Sequence, residues 1–496
     1  MPVDRMSQTN RNARREAEVK MRRIVILVAA FTMLSALAFA PAPRGSPRVA
    51  DAPPSVELVG WLSIVHGDGE PGSGLAPRLE YRLIDDLGGA TSLTFAETIP
   101  EEQIAALGGQ RVRVRGEWAA AEAAAGDGAR PLVAAEIMAA GGAVAPAKGG
   151  AEALTGSQPW VSVMCKFSDV AAEPKSLFYF TNMYASTKPG LDHYWREVSY
   201  DNINVLGSTA TGWFNLPHNR SYYLPGGHLD WDLAAKECTA LADPTINFHS
   251  FLGINLMFNA DLDGYAWGGG DCLTLDGSYG CWDMTWEPPW GYQSITVISH
   301  EMGHGFGLPH TAFDNSYAYN NQWDVMSDTW SNCGNSTDPT YGCMGQHTIA
   351  QQKDSLLWIP PALRFIAGRG TYRILTLEQL ALPTTANLRM IKVLIGGSPS
   401  HYYTLEARRK VGYDVKLPLE GVIIHETNPA WSIATHIIDP TGLPTGDAGA
   451  VWTPGETFLD PANGISVAVL SATGTGWVVR ISNAVAGLSF LPSVMR

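Results

Sequence analysis

Charged side chains are scarce in this chain of 496 residues, at 17% of the sequence, and they leave a formal net charge of −14. An acidic body repels nucleic acid and anionic membrane surfaces, so neither is expected as a partner. After residue 40, no apolar run is long enough to span a bilayer. Histidine is also rare, with twelve residues, which makes any cluster of histidines informative.

Residues 1–50 have the order of a targeting segment. The basic stretch KMRR (20–23) precedes an uncharged apolar run of 17 residues (24–40), and a proline-rich stretch follows. This order is typical of a secretory signal and predicts an extracellular protein. An uncleaved signal anchor is the alternative, because 17 residues lie at the lower edge of membrane-spanning length. Only in that form would a membrane be a stable partner.

Cysteine is absent outside residues 165–343, where six occur. An even number in an exported chain favours disulfides. Two short segments suggest local closure, Cys272 with Cys281 and Cys333 with Cys343, which leaves Cys165 with Cys238. Buried free thiols are the alternative.

The sequence pattern changes along the chain in a way that predicts a multidomain α+β protein. Residues 55–140 contain five strand-like runs with a short helix before the fourth, which suits a small OB-like barrel or an unrelated β-sandwich. Residues 141–159 are a Gly/Ala/Pro-rich linker. Residues 160–365 mix helices with buried strands, and residues 366–496 show short strands separated by turns, as in a β-sandwich.

A quarter of the histidines lie in VISHEMGHGFGLPH (297–310). Residues four apart share one face of a helix, so His300 and His304 can offer two imidazoles to one metal ion. Glu301 would then lie beside the ion without binding it, placed to take a proton from water. Gly307 allows the helix to end and the chain to turn, which brings His310 to the same ion. Three protein ligands with one open position are typical of hydrolytic Zn²⁺.

The segment HEMGHGFGLPH resembles the metzincin pattern H-E-x-x-H-x-x-G-x-x-H. The resemblance implies a domain with a mixed sheet and an active-site helix at 160–365. It also implies zinc ligands His300, His304 and His310, a general base at Glu301, and a structural methionine turn at Met326. Several branches of the family place a tyrosine two residues after that methionine. Here the position holds Asp328, so that role is unfilled.

Within the metzincins, the chain is similar to the gametolysin-like and immune inhibitor A-like secreted proteases, on YWREVSYDNINVLG (194–207) and HYYTLEARRKVGYDVKLPLEGVIIHE (401–426). The function implied is a secreted zinc-dependent endopeptidase acting on protein or peptide substrates, with water activated by Glu301. One alternative is an exported surface or carbohydrate-binding β-protein with a vestigial metal site. A hydrolase of non-peptide amides is another.

Residues 55–140 precede the catalytic region, so they are interpreted either as an inhibitory propeptide or as an accessory domain. Some metzincins block zinc with a propeptide cysteine, but this region has none. An aspartate is the remaining candidate for that role.

The segment NADLDGYAWGGGD (259–271) is a candidate site for a second metal, Ca²⁺. Its ligands would be Asp261, Asp263 and Asp271. An ordinary acidic loop is the alternative, because only a fragment of a calcium-binding pattern is present. The glycines predict a loop that continues from this segment to about residue 290.

Overall fold

The computed structural model describes residues 55–484 except residues 97, 100, 121–129, 141–152, 316–317 and 442–447. The predicted targeting segment, residues 1–50, lies outside the described residues, as does most of the linker predicted at 141–159. Within the described part, none of the helices has both the length and the apolar character needed to cross a bilayer. The chain is mostly β and contains several sheets, as expected for a multidomain α+β protein.

Residues 55–140 form five strands with one helix before the fourth, as the sequence predicts. In chain order these are β1 (Val56–Gly69), β2 (Arg78–Ile84), β3 (Ala90–Phe95), α1 (Glu101–Ala105), β4 (Arg111–Trp118) and β5 (Leu132–Ala139). The order β1-β2-β3-β5-β4-β1 closes on itself, with β3 and β5 parallel. Alternating apolar residues of the strands fill the interior, including Leu62, Val112 and Val114.

Strand β1 is longer than the sequence suggested. The apolar alternation ends at Val65, yet the strand continues to Gly69. Its last five residues also pair with a strand of the following region, from Val65 opposite Gly269 to Gly69 opposite Tyr265, and the last two extend beyond the pairing with β2. Partner residues far along the chain create this extension, so local pattern could not reveal it.

Residues 153–363 contain most of the helices. In chain order the elements are β6 (Gly156–Ser157), β7 (Trp160–Lys166), α2 (Leu177–Met183), α3 (Leu191–Ser199), β8 (Ile203–Asn204), β9 (Thr209–Asn215), α4 (Trp231–Ala242), β10 (Gly253–Phe258), β11 (Tyr265–Leu275), β12 (Ser278–Glu287), α5 (Pro289–Tyr292), α6 (Ile295–Gly305), β13 (Thr337–Asp338), β14 (Gly342–Cys343) and α7 (Ala350–Ser355). Short 3₁₀ turns occur at Arg220–Tyr222, Pro225–Gly227, Phe248–Ser250, Cys333–Asn335 and Pro361–Leu363.

Helices cover both faces of the sheet in this region. Strands β12, β10, β7 and β9 are parallel neighbours, and β11 is antiparallel to β12. Helix α4 packs on one face, where Trp231 and Cys238 join the core. Helices α2, α3 and α6 pack on the other, where Trp195 and Ile298 do so. Strands buried on both faces are apolar throughout, which explains the run WVSVMC at 160–165.

The loop predicted after residue 260 and up to about residue 290 is wrong over most of its length. The chain there forms the long antiparallel pair β11 and β12. Gly268 and Gly269 mark close approaches of other backbone segments, whereas Gly277 lies in the turn between the two strands. At Gly268, a side chain would collide with the backbone oxygen of Glu301 in α6. Glycine inside a strand often marks such a contact.

The three disulfides have the predicted pairing. Cys165 on β7 is bonded to Cys238 on α4, Cys272 to Cys281 across β11 and β12, and Cys333 to Cys343. The alternative of buried free thiols is therefore wrong. Such bonds are compatible with an extracellular protein.

The remaining strands form two sheets that share one apolar core. They are β15 (Arg364–Ala367), β16 (Thr371–Glu378), β17 (Met390–Leu394), β18 (Tyr402–Arg408), β19 (Gly421–Thr427), β20 (Thr435–Ile437), β21 (Thr457–Asp460), β22 (Ile465–Ala472) and β23 (Gly476–Asn483), with a 3₁₀ turn at Gly412–Lys416. One sheet has the order β15-β17-β18-β19-β20 and the other β16-β23-β22-β21. Leu405 and Ile424 from the first meet Val467 and Val479 from the second, as in the sandwich predicted from residue 366.

Candidate metal centre

Helix α6 presents His300 and His304 one turn apart on the same buried face. The helix ends at Gly305, and Gly307 adopts a left-handed φ of +86°. The amide of Leu308 donates to the carbonyl of Gly303 at 2.9 Å, which closes the end of the helix. The chain then turns back and carries His310 to the other two histidines.

The three imidazoles converge through their Nε2 atoms. The distance is 3.1 Å between His300 and His304, 3.3 Å between His300 and His310, and 3.2 Å between His304 and His310. A tetrahedral ion bound at about 2.0–2.1 Å from each nitrogen would hold them about 3.3–3.4 Å apart. The three nitrogens therefore have the spacing of a metal-ligand set.

Hydrogen bonds on the far side of two rings fix their tautomers. Nδ1 of His300 donates to the carbonyl of Val325 at 2.7 Å, and Nδ1 of His304 donates to the carbonyl of Leu308 at 2.8 Å. Because a carbonyl only accepts, Nδ1 carries the hydrogen, and each ring in its neutral form directs the lone pair of Nε2 into the cluster. Lone pairs that face one another at 3.1 Å repel unless a proton or a metal ion lies between them, and three such nitrogens directed at one point fit a metal ion.

A fourth side chain joins the cluster from the N-terminal barrel. The carboxylate of Asp68 lies with Oδ1 at 2.7 Å from Nε2 of His310, and with Oδ2 at 3.3 Å from Nε2 of both His300 and His304. These four residues form a group that could hold a metal ion. The position that three histidines leave open is thus filled by a carboxylate of the same chain.

Strand β1 delivers Asp68 to this position. It runs antiparallel to β11, with Asp68 opposite Ala266, and therefore lies along the edge strand next to α6. Residues beyond the strand border a cavity of about 160 Å³. Its wall includes Glu70 and Leu75 from the barrel, and Val297, Asp328 and Trp330 from the region of the metal centre. The barrel consequently occupies the entrance to the cluster.

His66, two residues before Asp68, also points into the site. Its ring stacks on that of His304, with centroids 4.0 Å apart and planes 2° apart. Burial, followed by the neighbouring histidines, holds the pKa of His66 well below its usual value. A neutral ring therefore covers His304, and β1 excludes water from two sides of the cluster.

The sequence predicts that an aspartate in residues 55–140 could block the metal, but it does not identify Asp68 or His66 as the residues that reach the site. The signal that could have found them is HGDGE (66–70), where an aspartate between two glycines follows an apolar strand. Small neighbours let a backbone approach another chain segment closely. Without the pairing of β1 with β11, this stretch looks like a turn.

Glu301 follows the first ligand on α6 and is completely buried. Its carboxylate lies against Gly268 of β11, and neither of its oxygens has a hydrogen-bond partner within the described residues. Burial above all, then the charges of Asp68 and Glu287, raise the pKa of Glu301 well above its usual value. A buried carboxyl without partners is costly, which is expected of a group kept for proton transfer.

Met326 packs beneath the centre. A side chain at Gly303, between the two helical histidines, would collide with Sδ of Met326. The methionine shares a small apolar cluster with Leu308 and Val325, whose carbonyl orients His300. This is the place where a structural methionine was predicted.

The C-terminal sandwich supports the segment around Met326. Arg408 of β18 is buried, pairs with Asp414 and Glu406, and donates to the carbonyl of Trp323 at 2.7 Å. The amide group of Asn321 contacts Nε2 of His425 on β19 at 3.1 Å. The loop that closes the site is therefore fixed by another part of the chain.

Asp328 and the predicted calcium ligands are used differently. Oδ1 of Asp328 accepts hydrogen bonds from the amides of Trp330 and Ser331 at 2.8 and 2.7 Å. Asp261 pairs with Arg220, Asp263 pairs with Arg78, and Asp271 is buried beside Asp232. Among the described residues these three aspartates do not form a metal-binding group, so the structure gives no support to a calcium site.

The close contact of β11 with α6 leads to a test. Replacing Gly268 with alanine should destabilise the protein by about 1–3 kcal/mol, because the new methyl group must displace the backbone of Glu301. The measurement is chemical denaturation of the full chain. Gly212→Ala on β9 is the matched control, since a side chain there meets open space. Equal stability of the two variants would contradict the packing described.

No protein-family model matches the chain. No curated protein matches it significantly.

Proposed function

We propose that this chain is a secreted zinc-dependent endopeptidase of the metzincin type. The observation that carries the proposal is the convergence of three imidazole Nε2 atoms, 3.1–3.3 Å apart, next to a buried glutamate that has no hydrogen-bond partner in the described part of the chain. His300, His304 and His310 would hold the ion. An all-nitrogen set of three histidines with an open fourth position is typical of catalytic zinc.

Hydrolysis of a peptide bond would require both the metal ion and Glu301, each for a different step. A bound zinc ion would lower the pKa of a water molecule and polarise the carbonyl of the scissile peptide. Glu301 takes a proton from the attacking water and delivers it to the nitrogen of the departing amine. The burial of its carboxyl suits both steps, because neither of its oxygens has a hydrogen-bond partner among the described residues that would compete for the proton.

Strand β11 is the surface on which a peptide substrate would lie. In the described structure its outer edge pairs with residues 65–69 of β1 through main-chain hydrogen bonds. Such an edge accepts any extended peptide irrespective of sequence. The part of the cavity wall that Val297 and Trp330 form would then face a substrate side chain. We therefore expect an extended protein or peptide substrate.

We further propose that the described chain is a latent form. Asp68 occupies the position that water needs, and β1 occupies the edge that a substrate needs. Of the two interpretations of residues 55–140, an inhibitory propeptide accounts for both contacts. An accessory domain accounts for neither.

The proposal is tested with the purified full chain. Elemental analysis should find about one zinc per chain. A peptide library should be cleaved after limited proteolysis releases the barrel, and far less before it. A chelator should abolish the cleavage, and added zinc should restore it. A folded chain that binds no transition metal would refute the proposal. A chain that binds zinc but cleaves no peptide would favour the exported binding protein, and cleavage of amidated glycans alone would favour the non-peptide hydrolase.

A further inference from the structure

A hydrogen-bond donor reaches the fourth position of the metal centre from the segment between His310 and Met326. The phenol hydroxyl of Tyr319 donates to Oδ1 of Asp68 at 2.7 Å. The same oxygen lies 2.7 Å from Nε2 of His310. The donor therefore points at an oxygen atom placed where a ligand oxygen completes the histidine set.

The position of Tyr319 depends on the metal-centre loop rather than on the barrel alone. Its ring packs edge-on against His310, with centroids 5.8 Å apart. The neighbouring backbone is held by Ser327, which donates to the carbonyl of Ala318 at 2.5 Å and accepts from the amide of Asn321 at 3.1 Å. Removal of the barrel takes away Asp68 but leaves these contacts in place.

We propose that Tyr319 is a catalytic residue that binds the carbonyl oxygen of the scissile peptide. This inference rests on the proposed function. When Asp68 departs, the phenol has the oxygen of the substrate as its acceptor in the same place. Asp328, fixed by the amides of Trp330 and Ser331, does not perform this task.

The hydrogen bond strengthens as the reaction proceeds. Attack of water forms a C–O bond, and the carbonyl oxygen gains the negative charge of the displaced electron pair. Glu301 holds the proton of the water and passes it to nitrogen as the C–N bond breaks. Tyr319 keeps its own proton throughout, so its effect is electrostatic. A donor that binds the oxyanion more tightly than the substrate raises kcat rather than lowering KM.

The test compares Tyr319→Phe with wild type after limited proteolysis of the folded full chain. We expect kcat to fall roughly 10²–10³-fold, as for loss of one oxyanion donor, with KM changed less than about threefold. Calorimetry supplies a second readout. The affinity for a phosphinic peptide, which imitates the tetrahedral adduct, should fall by a factor similar to the loss in kcat/KM. Zinc content should stay unchanged.

The control is Tyr403→Phe, because Tyr403 also donates from its phenol to a carboxylate, that of Asp460 at 3.1 Å, but within the sandwich. This variant should match wild type in both measurements. A Tyr319→Phe chain with kcat and phosphinate affinity within about twofold of wild type would overturn the inference. The hydroxyl of Tyr319 would then serve only to hold Asp68 in place. A wild-type chain that cleaves no peptide would instead refute the proposed function, and the inference with it.

Discussion

Replacing Glu301 with glutamine should lower kcat roughly 10²–10⁴-fold, which is the usual contribution of a general base. Glutamine has nearly the same shape, so the packing against Gly268 is kept. The histidines are untouched, and the amide cannot take a proton from water. The measurement is kcat for a peptide substrate after limited proteolysis, together with zinc content. The variant should bind as much zinc as wild type.

Glu426→Gln is the matched control for this substitution. Glu426 pairs with His401 in the C-terminal sandwich, at 2.8 Å, and is not part of the metal-binding group found among the described residues. Its replacement should leave kcat unchanged. If Glu301→Gln kept more than about a tenth of wild-type activity, Glu301 would not be the proton acceptor. The buried Glu287 of β12 would then be the next candidate for that role.

The part of the centre that lies on α6 and the turn after it could be predicted from the sequence. His300 and His304 lie one helical turn apart, and Gly307 allows the turn to His310, so the information is local. The short disulfides and the alternating strands of the sandwich are local patterns as well. Period and spacing suffice where partners are close along the chain.

The rest of the site depends on partners that are distant in sequence. Asp68 precedes His300 by more than 200 residues, and it reaches the centre only because β1 pairs with β11. Neither strand of that pair could be predicted, since in the sequence the end of β1 looks like a turn and β11 looks like a glycine-rich loop. Tyr319 gives no signal at all, because nothing in its neighbours distinguishes it from a packed aromatic residue. Acidic spacing alone was equally insufficient for the calcium prediction.

The second large effect concerns latency. We expect that replacing Asp68 with alanine makes the full chain active, because it frees the fourth position of the metal centre for water. Strand β1 would still lie along β11 next to Glu301, so its own peptide bonds are the first substrate available. Purified Asp68→Ala should shorten itself by cleavage near residues 65–75 within hours, whereas wild type persists. The measurement is gel analysis and mass spectrometry of incubated protein. Once this cleavage has released β1 from β11, the peptidase activity of the preparation should exceed that of equally incubated wild type by roughly 10²-fold or more, since in wild type a carboxylate ligand fixed inside the chain acts at a high effective concentration.

The control must separate the loss of this ligand from a general loosening of the barrel. Glu80→Ala removes another carboxylate that holds the barrel to the rest of the chain, through Nε1 of Trp231 at 2.8 Å, away from the metal centre. It should leave the chain latent. The double variant Asp68→Ala with Glu301→Gln should open the same position yet stay intact, because the proton acceptor is missing. If Asp68→Ala proved as stable and inactive as wild type, strand pairing alone would account for latency. If Glu80→Ala cleaved itself as fast as Asp68→Ala, the latency would depend on how firmly the barrel is attached and not on the Asp68 ligand.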